Sequence, residues 1–266
     1  MKFIHITDIH LVPPGEKLWG FDTFERLDLC LADIKKYHPD AEFCTISGDL
    51  TERGDAAAYA ALKDRLADFP FPTHLMLGNH DSRANYLKVF GGADEYGFVQ
   101  HSLVKDGQHF LFLDTLKGGD SSKGLLDTPR RKWLKNAIDQ TKGTPTYIFM
   151  HHPPFPIHHP LMDLIPLEDG DGFGDMLKGH NVRHIFFGHA HRLLNGQWRG
   201  MTYSSLPGLS HQLPLVGSSV STIYSNEPPM YSVVFLQNDQ ITVHTDAFMH
   251  RSKVAMADDA ERGNWS

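Results

Sequence analysis

Cysteine is nearly absent: the 266 residues include two, Cys30 and Cys44. They form no CxxC, so neither a disulfide framework nor a thiolate zinc or iron–sulfur site is expected. A reducing compartment suits such a chain, and a cytoplasmic location is the expectation. Long apolar runs are also missing. None reaches the ~18 residues of a membrane span. Met1-Lys2 leads straight into an apolar strand, leaving no room for a signal peptide. Basic charge is in deficit, with 25 Lys and Arg against 32 Asp and Glu. That argues against a binder of long nucleic acid, whose phosphates draw a basic surface. No internal repeat and no low-complexity tract interrupts the chain.

Histidine is what the chain has instead, eighteen of them. It is the commonest side-chain metal ligand and the natural acid/base near neutral pH. The first apolar stretch, Phe3-Ile4-His5-Ile6-Thr7-Asp8-Ile9-His10, reads as a buried strand ending in Asp8 and His10. Residues two apart on a strand share a face, and open α/β sheets bind their ligands at the carboxyl ends of strands.

The same event recurs down the chain. Glu42 to Ser47 reads as a strand ended by Gly48-Asp49, and Thr73 to Leu77 as one ended by Gly78-Asn79-His80-Asp81. His109 to Leu113 ends in Asp114, Thr146 to Met150 in His151-His152-Pro153-Pro154, and Val182 to Phe187 in Gly188-His189-Ala190-His191. Helical patterns separate them. One starts at Asp22, an N-cap with Glu25 three residues on. Others cover Ala56 to Phe69, Arg83 to Phe90 and Thr128 to Gln140, the last with Pro129 at its first position. Gly172 to Gly179 reads as a short helix. Met201 to Ser205, Tyr231 to Leu236 and Gln240 to Asp246 then follow as strands without helices between them. Alternating strands and helices predict an α/β fold with helices outside, and the late strands predict extra antiparallel strands or a second packed sheet.

Asp8, His10, Asp49, Asn79, His80, His151, His189 and His191 all follow apolar strands. If those strands are neighbours, the side chains converge on one rim. Taken singly, Asp49 also reads as a helix cap, Asn79 as a turn residue and His151 as a packed loop histidine. Together they form a mixed oxygen and nitrogen set suited to Zn, Mn or Fe. Seven or eight such ligands exceed one tetrahedral ion and suffice for two ions sharing a carboxylate.

Asp8-x-His10, Gly48-Asp49, Gly78-Asn79-His80-Asp81, His151 and Gly188-His189-x-His191 resemble, in order and spacing, the signature of calcineurin-like metallophosphoesterases. The resemblance implies an α/β four-layer αββα sandwich, two mixed β-sheets flanked by helices, with a dinuclear centre between the sheets. It implies that Asp8, His10, Asp49 and His191 hold one metal ion. Asp49 would bridge to a second ion, held also by Asn79, His151 and His189. The ions would be divalent or trivalent Mn, Fe, Zn or Co. His80 resembles the family's non-ligand histidine at the scissile phosphate. A narrower resemblance, to the bacterial glycerophosphodiesterase and class III cyclic-nucleotide phosphodiesterase group, rests on Gly15-Glu16-Lys17-Leu18-Trp19-Gly20-Phe21, His151-His152-Pro153-Pro154 and Leu206-Pro207-Gly208 with His211-Gln212-x-Pro214. It implies that His211 lies at the substrate site.

The expected reaction is hydrolysis of small phosphodiesters, glycerophosphodiesters, cyclic nucleotides or similar, by attack on phosphorus of hydroxide formed at the two metals. His80 stabilises the transition state or protonates the leaving alkoxide, Asn79 helps hold the second metal or a phosphate oxygen, and Asp81 orients His80 or caps the next helix. Two alternatives remain open: a metallophosphoesterase acting on monoesters, nucleic acid or pyrophosphate, and a non-catalytic scaffold. The chain is expected to form a single domain over 1–266. Long loop-like stretches around 155–171 and 212–266 are expected to make a lid and a homo-oligomer interface, dimer or higher, and neither a membrane nor long nucleic acid is an expected partner.

Overall fold

The structure is a computed structural model and describes residues 1–216 and 223–250. Two sheets lie face to face. In the first, β1 (Lys2–Ile6), β2 (Cys44–Ile46) and β3 (Thr73–Leu75) run parallel. On the other side of β1 it is extended antiparallel by β10 (Tyr231–Gln237) and β11 (Gln240–Asp246). The second sheet has a parallel centre of β5 (Gln108–Phe112), β6 (Thr146–Met150), β7 (Val182–Phe187) and β9 (Met201–Ser205). Antiparallel edges close it, β4 (His101–Lys105) beside β5 and β8 (Leu194–Trp198) beside β9.

Alternation along the strands sorts the core by chemistry. Phe3 on β1, Phe110 and Phe112 on β5, Tyr147 and Phe149 on β6 and Phe186 on β7 point between the sheets. Their intervening neighbours Ile4, Leu111, Ile148 and Ile185 point outward under the helices. The rings pack tightly: Phe149 stacks on Phe186 with centroids 4.6 Å apart, and Phe3 meets Phe149 edge-on at 5.7 Å. Such pairs add ~0.5–1.5 kcal/mol each beyond the area they bury.

Helices α1 (Thr23–Tyr37), α2 (Ala56–Ala67) and α3 (Arg83–Phe90) cover the first sheet through Leu27, Leu31, Leu62 and Tyr86. Helices α4 (Thr128–Gln140) and α5 (Gly170–Met176) cover the second through Leu134, Ile138 and Phe173. The result is the four-layer αββα sandwich. Asp22 caps α1 as its sequence predicts, accepting from the N–H groups of Phe24 and Glu25 at 3.1 Å.

Some expectations are corrected. β4 and β8 are strands that the sequence did not announce, and β2 and β3 are shorter than expected. The short helix expected at Gly172 to Gly179 runs instead over Gly170–Met176, at the end of a stretch 155–171 that holds a 3-10 turn at Met162–Leu164 and buries Phe155, Met162 and Leu167. Of the expected 212–266 portion, residues 217–222 and 251–266 lie outside the described residues. Among the described residues no helix is long and apolar enough to cross a membrane.

Candidate metal centre

The carboxyl ends of β1, β2 and β3 from one sheet meet those of β6 and β7 from the other. Asp8 and His10 follow β1, Asp49 follows β2, Asn79 and His80 follow β3, His151 follows β6, and His189 and His191 follow β7. Asp8, His10, Asp49, His151, His189 and His191 are all buried. Five of these six adopt left-handed backbone: Asp8 (φ 52), His10 (φ 43), Asp49 (φ 48), His189 (φ 65) and His191 (φ 47). Non-glycine residues avoid that region at ~1–2 kcal/mol each, and such strain gathers where function over-determines the backbone.

Two clusters share one carboxylate. Asp8, His10, Asp49 and His191 bring one ligand atom each within 4.8 Å of one another. His10 Nε2 lies 3.1 Å from His191 Nε2, and His191 Nε2 lies 3.3 Å from Asp8 Oδ1. On the far side of Asp49, His151 Nε2 faces Asn79 Oδ1 at 3.3 Å, and the His151 and His189 rings are 5.0 Å apart. Asp49 Oδ2 stands between the clusters, 3.4 Å from His10 Nε2 and 3.3 Å from His151 Nε2. Gly78 packs against it: a Cβ there would lie 2.6 Å from His151 Nε2 and would overlap the Asp49 carboxylate.

Each imidazole has its outer nitrogen tied down. His10 Nδ1 meets Glu52 Oε2 at 2.7 Å, and His151 Nδ1 the carbonyl of Ser47 at 2.8 Å. His191 Nδ1 meets the carbonyl of His211 at 2.7 Å, and His189 Nε2 that of Ile165 at 3.0 Å. An acceptor on one nitrogen fixes the tautomer and aims the other nitrogen's lone pair inward, as metal-ligating histidines require. Like nitrogens facing each other across a buried carboxylate fit a shared cation, and the donor set therefore fits a pair of metal ions.

The charges agree. Burial alone would raise the Asp49 carboxyl, but the imidazoles of His151, His80 and His10 hold it well below the usual carboxylate range. Burial keeps His10 neutral and, with the nearby His151, pushes His189 down to about 3. Burial opposes charge on His151 too, yet Asp49 pulls it up to about 9. A cation held by these groups would take the place of that proton.

His80 lies beside the first cluster, and its ring comes together with His10 and Glu52 in a further group of potential ligand atoms. Its N–H donates to Asp49 Oδ1 at 2.9 Å, while its ring turns to the cavity with Nδ1 3.0 Å from the carbonyl of Glu52. Burial would lower its pKa, but Asp49 and Glu52 outweigh burial and raise it. Asp81 is corrected. Its carboxylate makes no hydrogen bond to the His80 imidazole. It accepts from the backbone N–H groups of Leu50, Thr51 and Gly78 at 3.1, 3.1 and 2.9 Å and from Tyr59 Oη at 2.7 Å. Nor does it cap α3, which Ser82 does. Glu52 is the group that sequence reasoning missed: its carboxylate reaches both His10 and, at 3.7 Å, His80 Nδ1. A lone glutamate in a polar loop carries no periodic signal.

A cavity of about 370 Å³ opens over the clusters. His211 lines it, with its ring 4.3 Å from that of His191. Leu161, Met162 and Ile165, from the 155–171 stretch, form one wall, and Trp19 and Tyr224 stand at another.

The calcineurin-like phosphoesterase family model matches residues 1–193. The chain belongs to the calcineurin-like phosphoesterase family. It is a metal-dependent phosphodiester hydrolase, and the calcineurin-like fold implies bound divalent metal ions. It is 36% identical to a probable cyclic nucleotide phosphodiesterase of Rhodopseudomonas palustris, over 94% of this chain and 93% of that one. It is 29% identical to a glycerophosphodiester phosphodiesterase of Enterobacter lignolyticus, over 86% of this chain and 84% of that one. Among solved structures, a dimetal phosphatase from Danio rerio shares the fold with a TM-score of 0.70 at 15% identity, covering 92% of this chain and 95% of that one.

Proposed function

We propose that this calcineurin-like phosphoesterase hydrolyses small phosphodiesters, cyclic nucleotides or glycerophosphodiesters, at a two-metal centre. The carrying observation is Asp49 Oδ2, placed between an imidazole of each cluster at 3.4 and 3.3 Å. Asp8, His10, Asp49 and His191 would hold one ion, and Asp49, Asn79, His151 and His189 the other, drawn from Mn, Fe, Zn or Co. Bound there, the ions supply charge neutralisation on the phosphoryl oxygens and a nucleophile at neutral pH. The chain's own groups do the rest. His80, raised in pKa and facing the cavity, donates a proton to the leaving alkoxide. Glu52 holds His10 and faces His80. Asn79 places its amide oxygen at the second cluster, and His211 meets the substrate beside His191.

The cavity size supports a small substrate, and the acidic net charge of -7 argues against long nucleic acid. The chain is read as one catalytic unit in the cytoplasm. Exposed Leu215, Val216 and Ile223, chain neighbours of the cavity-lining Leu213 and Tyr224, support a homo-oligomeric contact there. The test is elemental analysis after Mn or Zn reconstitution with kcat/KM on a panel of diesters and monoesters. Two metals per chain and preference for diesters are expected. One tightly held metal that Asn79→Ala leaves unchanged, or turnover of monoesters alone, overturns the reading.

A further inference from the structure

Trp19 occupies a backbone position that does not suit it. Leu18 and Phe21 exchange backbone hydrogen bonds at 3.0 and 2.8 Å across a two-residue turn. Its central residues, Trp19 and Gly20, have φ of 47° and 87°. Positive φ at both centres is the type I′ turn, which favours Asn-Gly. Packing does not explain a tryptophan there, since 51% of it is exposed. Its place at the cavity does.

Trp19 stacks on Tyr224 with centroids 4.2 Å apart and planes 24° from parallel. Tyr224 is half-exposed as well, and the segment that carries it is fixed by the paired hydrogen bonds of Gln212 and Ser225, both 3.0 Å. The His211 ring meets Trp19 edge-on at 4.5 Å and Tyr224 edge-on at 5.0 Å. The aromatic pair therefore stands one imidazole away from His191 and the metal cluster. In a cyclic nucleotide, a ribose separates phosphorus from base by a comparable span.

We propose that Trp19 and Tyr224 form a stacking platform for a nucleobase, so that the site selects nucleotide diesters over glycerol-type diesters. The inference rests on the phosphodiesterase reading and narrows it. Near-parallel rings offer one flat face, which a planar base extends by offset stacking. A cationic head group such as choline also attracts rings. Here, though, the carboxylates lining the cavity among the described residues, Asp49 and Glu52, are both already in contact with imidazoles.

The test is kcat/KM of wild type, Trp19→Asn and Tyr224→Leu on cyclic AMP and on glycerophosphoethanolamine. Asparagine suits the type I′ turn, so Trp19→Asn removes the ring while keeping the loop. The cyclic AMP to glycerophosphoethanolamine ratio is expected to fall roughly 5- to 150-fold, the range of base–aromatic stacking, chiefly through KM. Trp19→Phe should recover most of it. A ratio unchanged in both variants overturns the platform while leaving the phosphodiesterase reading intact. So does a wild type that prefers the glycerol diester. If wild type turns over neither diester, the phosphodiesterase reading fails and the platform is decided by calorimetric titration with cyclic AMP. Weaker binding to Trp19→Asn than to wild type supports it, and equal binding or none to wild type overturns it.

Discussion

Asp81 is a clamp, and removing it should loosen the centre without touching the chemistry directly. Its carboxylate gathers the loop after β2, through the N–H groups of Leu50 and Thr51, and the loop after β3, through the N–H of Gly78. Those loops carry Asp49 and Asn79. Asp81→Ala leaves three buried N–H groups without their acceptor, at ~1–3 kcal/mol each. Local relaxation and entering water set the loss near the lower end, ~3–4 kcal/mol. Asparagine does not rescue the site. Oδ2 faces Leu50 and Gly78, and Oδ1 faces Thr51 and Tyr59, so an NH2 group meets donors whichever way it turns. Asp81→Asn should lose ~1–3 kcal/mol by the same reasoning. The assay is urea denaturation of metal-free protein, with metal content and kcat measured at saturating metal. Lower stability and weaker metal retention, with kcat at full loading within about tenfold of wild type, follow from a clamp. Unchanged stability with kcat down a hundredfold at full loading would refute the argument and return Asp81 to His80.

Further outcomes follow from other groups. His80→Ala should keep fold and metals yet lower kcat for alkyl diesters by ~10²–10⁴-fold. The loss should be much smaller for bis-p-nitrophenyl phosphate, whose leaving group needs no proton, and equal losses exclude the general-acid role. Away from the centre, burial pushes His5 and His184 down to about 3 and His74 and His101 down to about 4. Their folded pKa values lie below the unfolded value of ~6.5, so the unfolded chain takes up protons first as pH falls. Stability is therefore full above ~6.5 and drops by up to ~1.4 kcal/mol per histidine for each pH unit below it, until the folded values are reached. Urea midpoints measured between pH 7 and pH 5 check this, and a flat profile with a constant m-value contradicts it.

The fold was legible where the pattern is strong. β6, β7, β9, β11 and α4 begin and end at the residues their sequences predict: β6 and β7 are apolar runs, α4 is capped by Asp127 with Pro129 in its first turn, and β11 alternates Ile241 and Val243 with polar residues. β4 and β8 were not, for a shared reason. Both are antiparallel edges: Val104 is exposed on β4, and Leu194-Asn-Gly-Gln-Trp198 is mostly polar, so neither carries the apolar run of a buried strand. The candidate ligands stood out because a strand end, a glycine and a metal-binding residue recur together. What holds them did not. Glu52 acts across 42 residues on His10, and three of the four carbonyl or carboxylate tethers are main-chain oxygens, on which side-chain identity has little to say. Asp81 was misassigned because a carboxylate beside His80 in sequence points away from it in space.

The left-handed residues at the centre carry an evolutionary consequence. Asp8, His10, Asp49, His189 and His191 sit where glycine would fit with less strain. Replacing His10, His189 or His191 by glycine relieves ~1–2 kcal/mol of backbone strain, whereas losing Asp8 or Asp49 also strands the N–H of His189 or His80. Drift toward a stable but inert sandwich therefore starts most easily at the histidines. A lineage that stops using the reaction should shed these side chains early and keep the aromatic layer between the sheets.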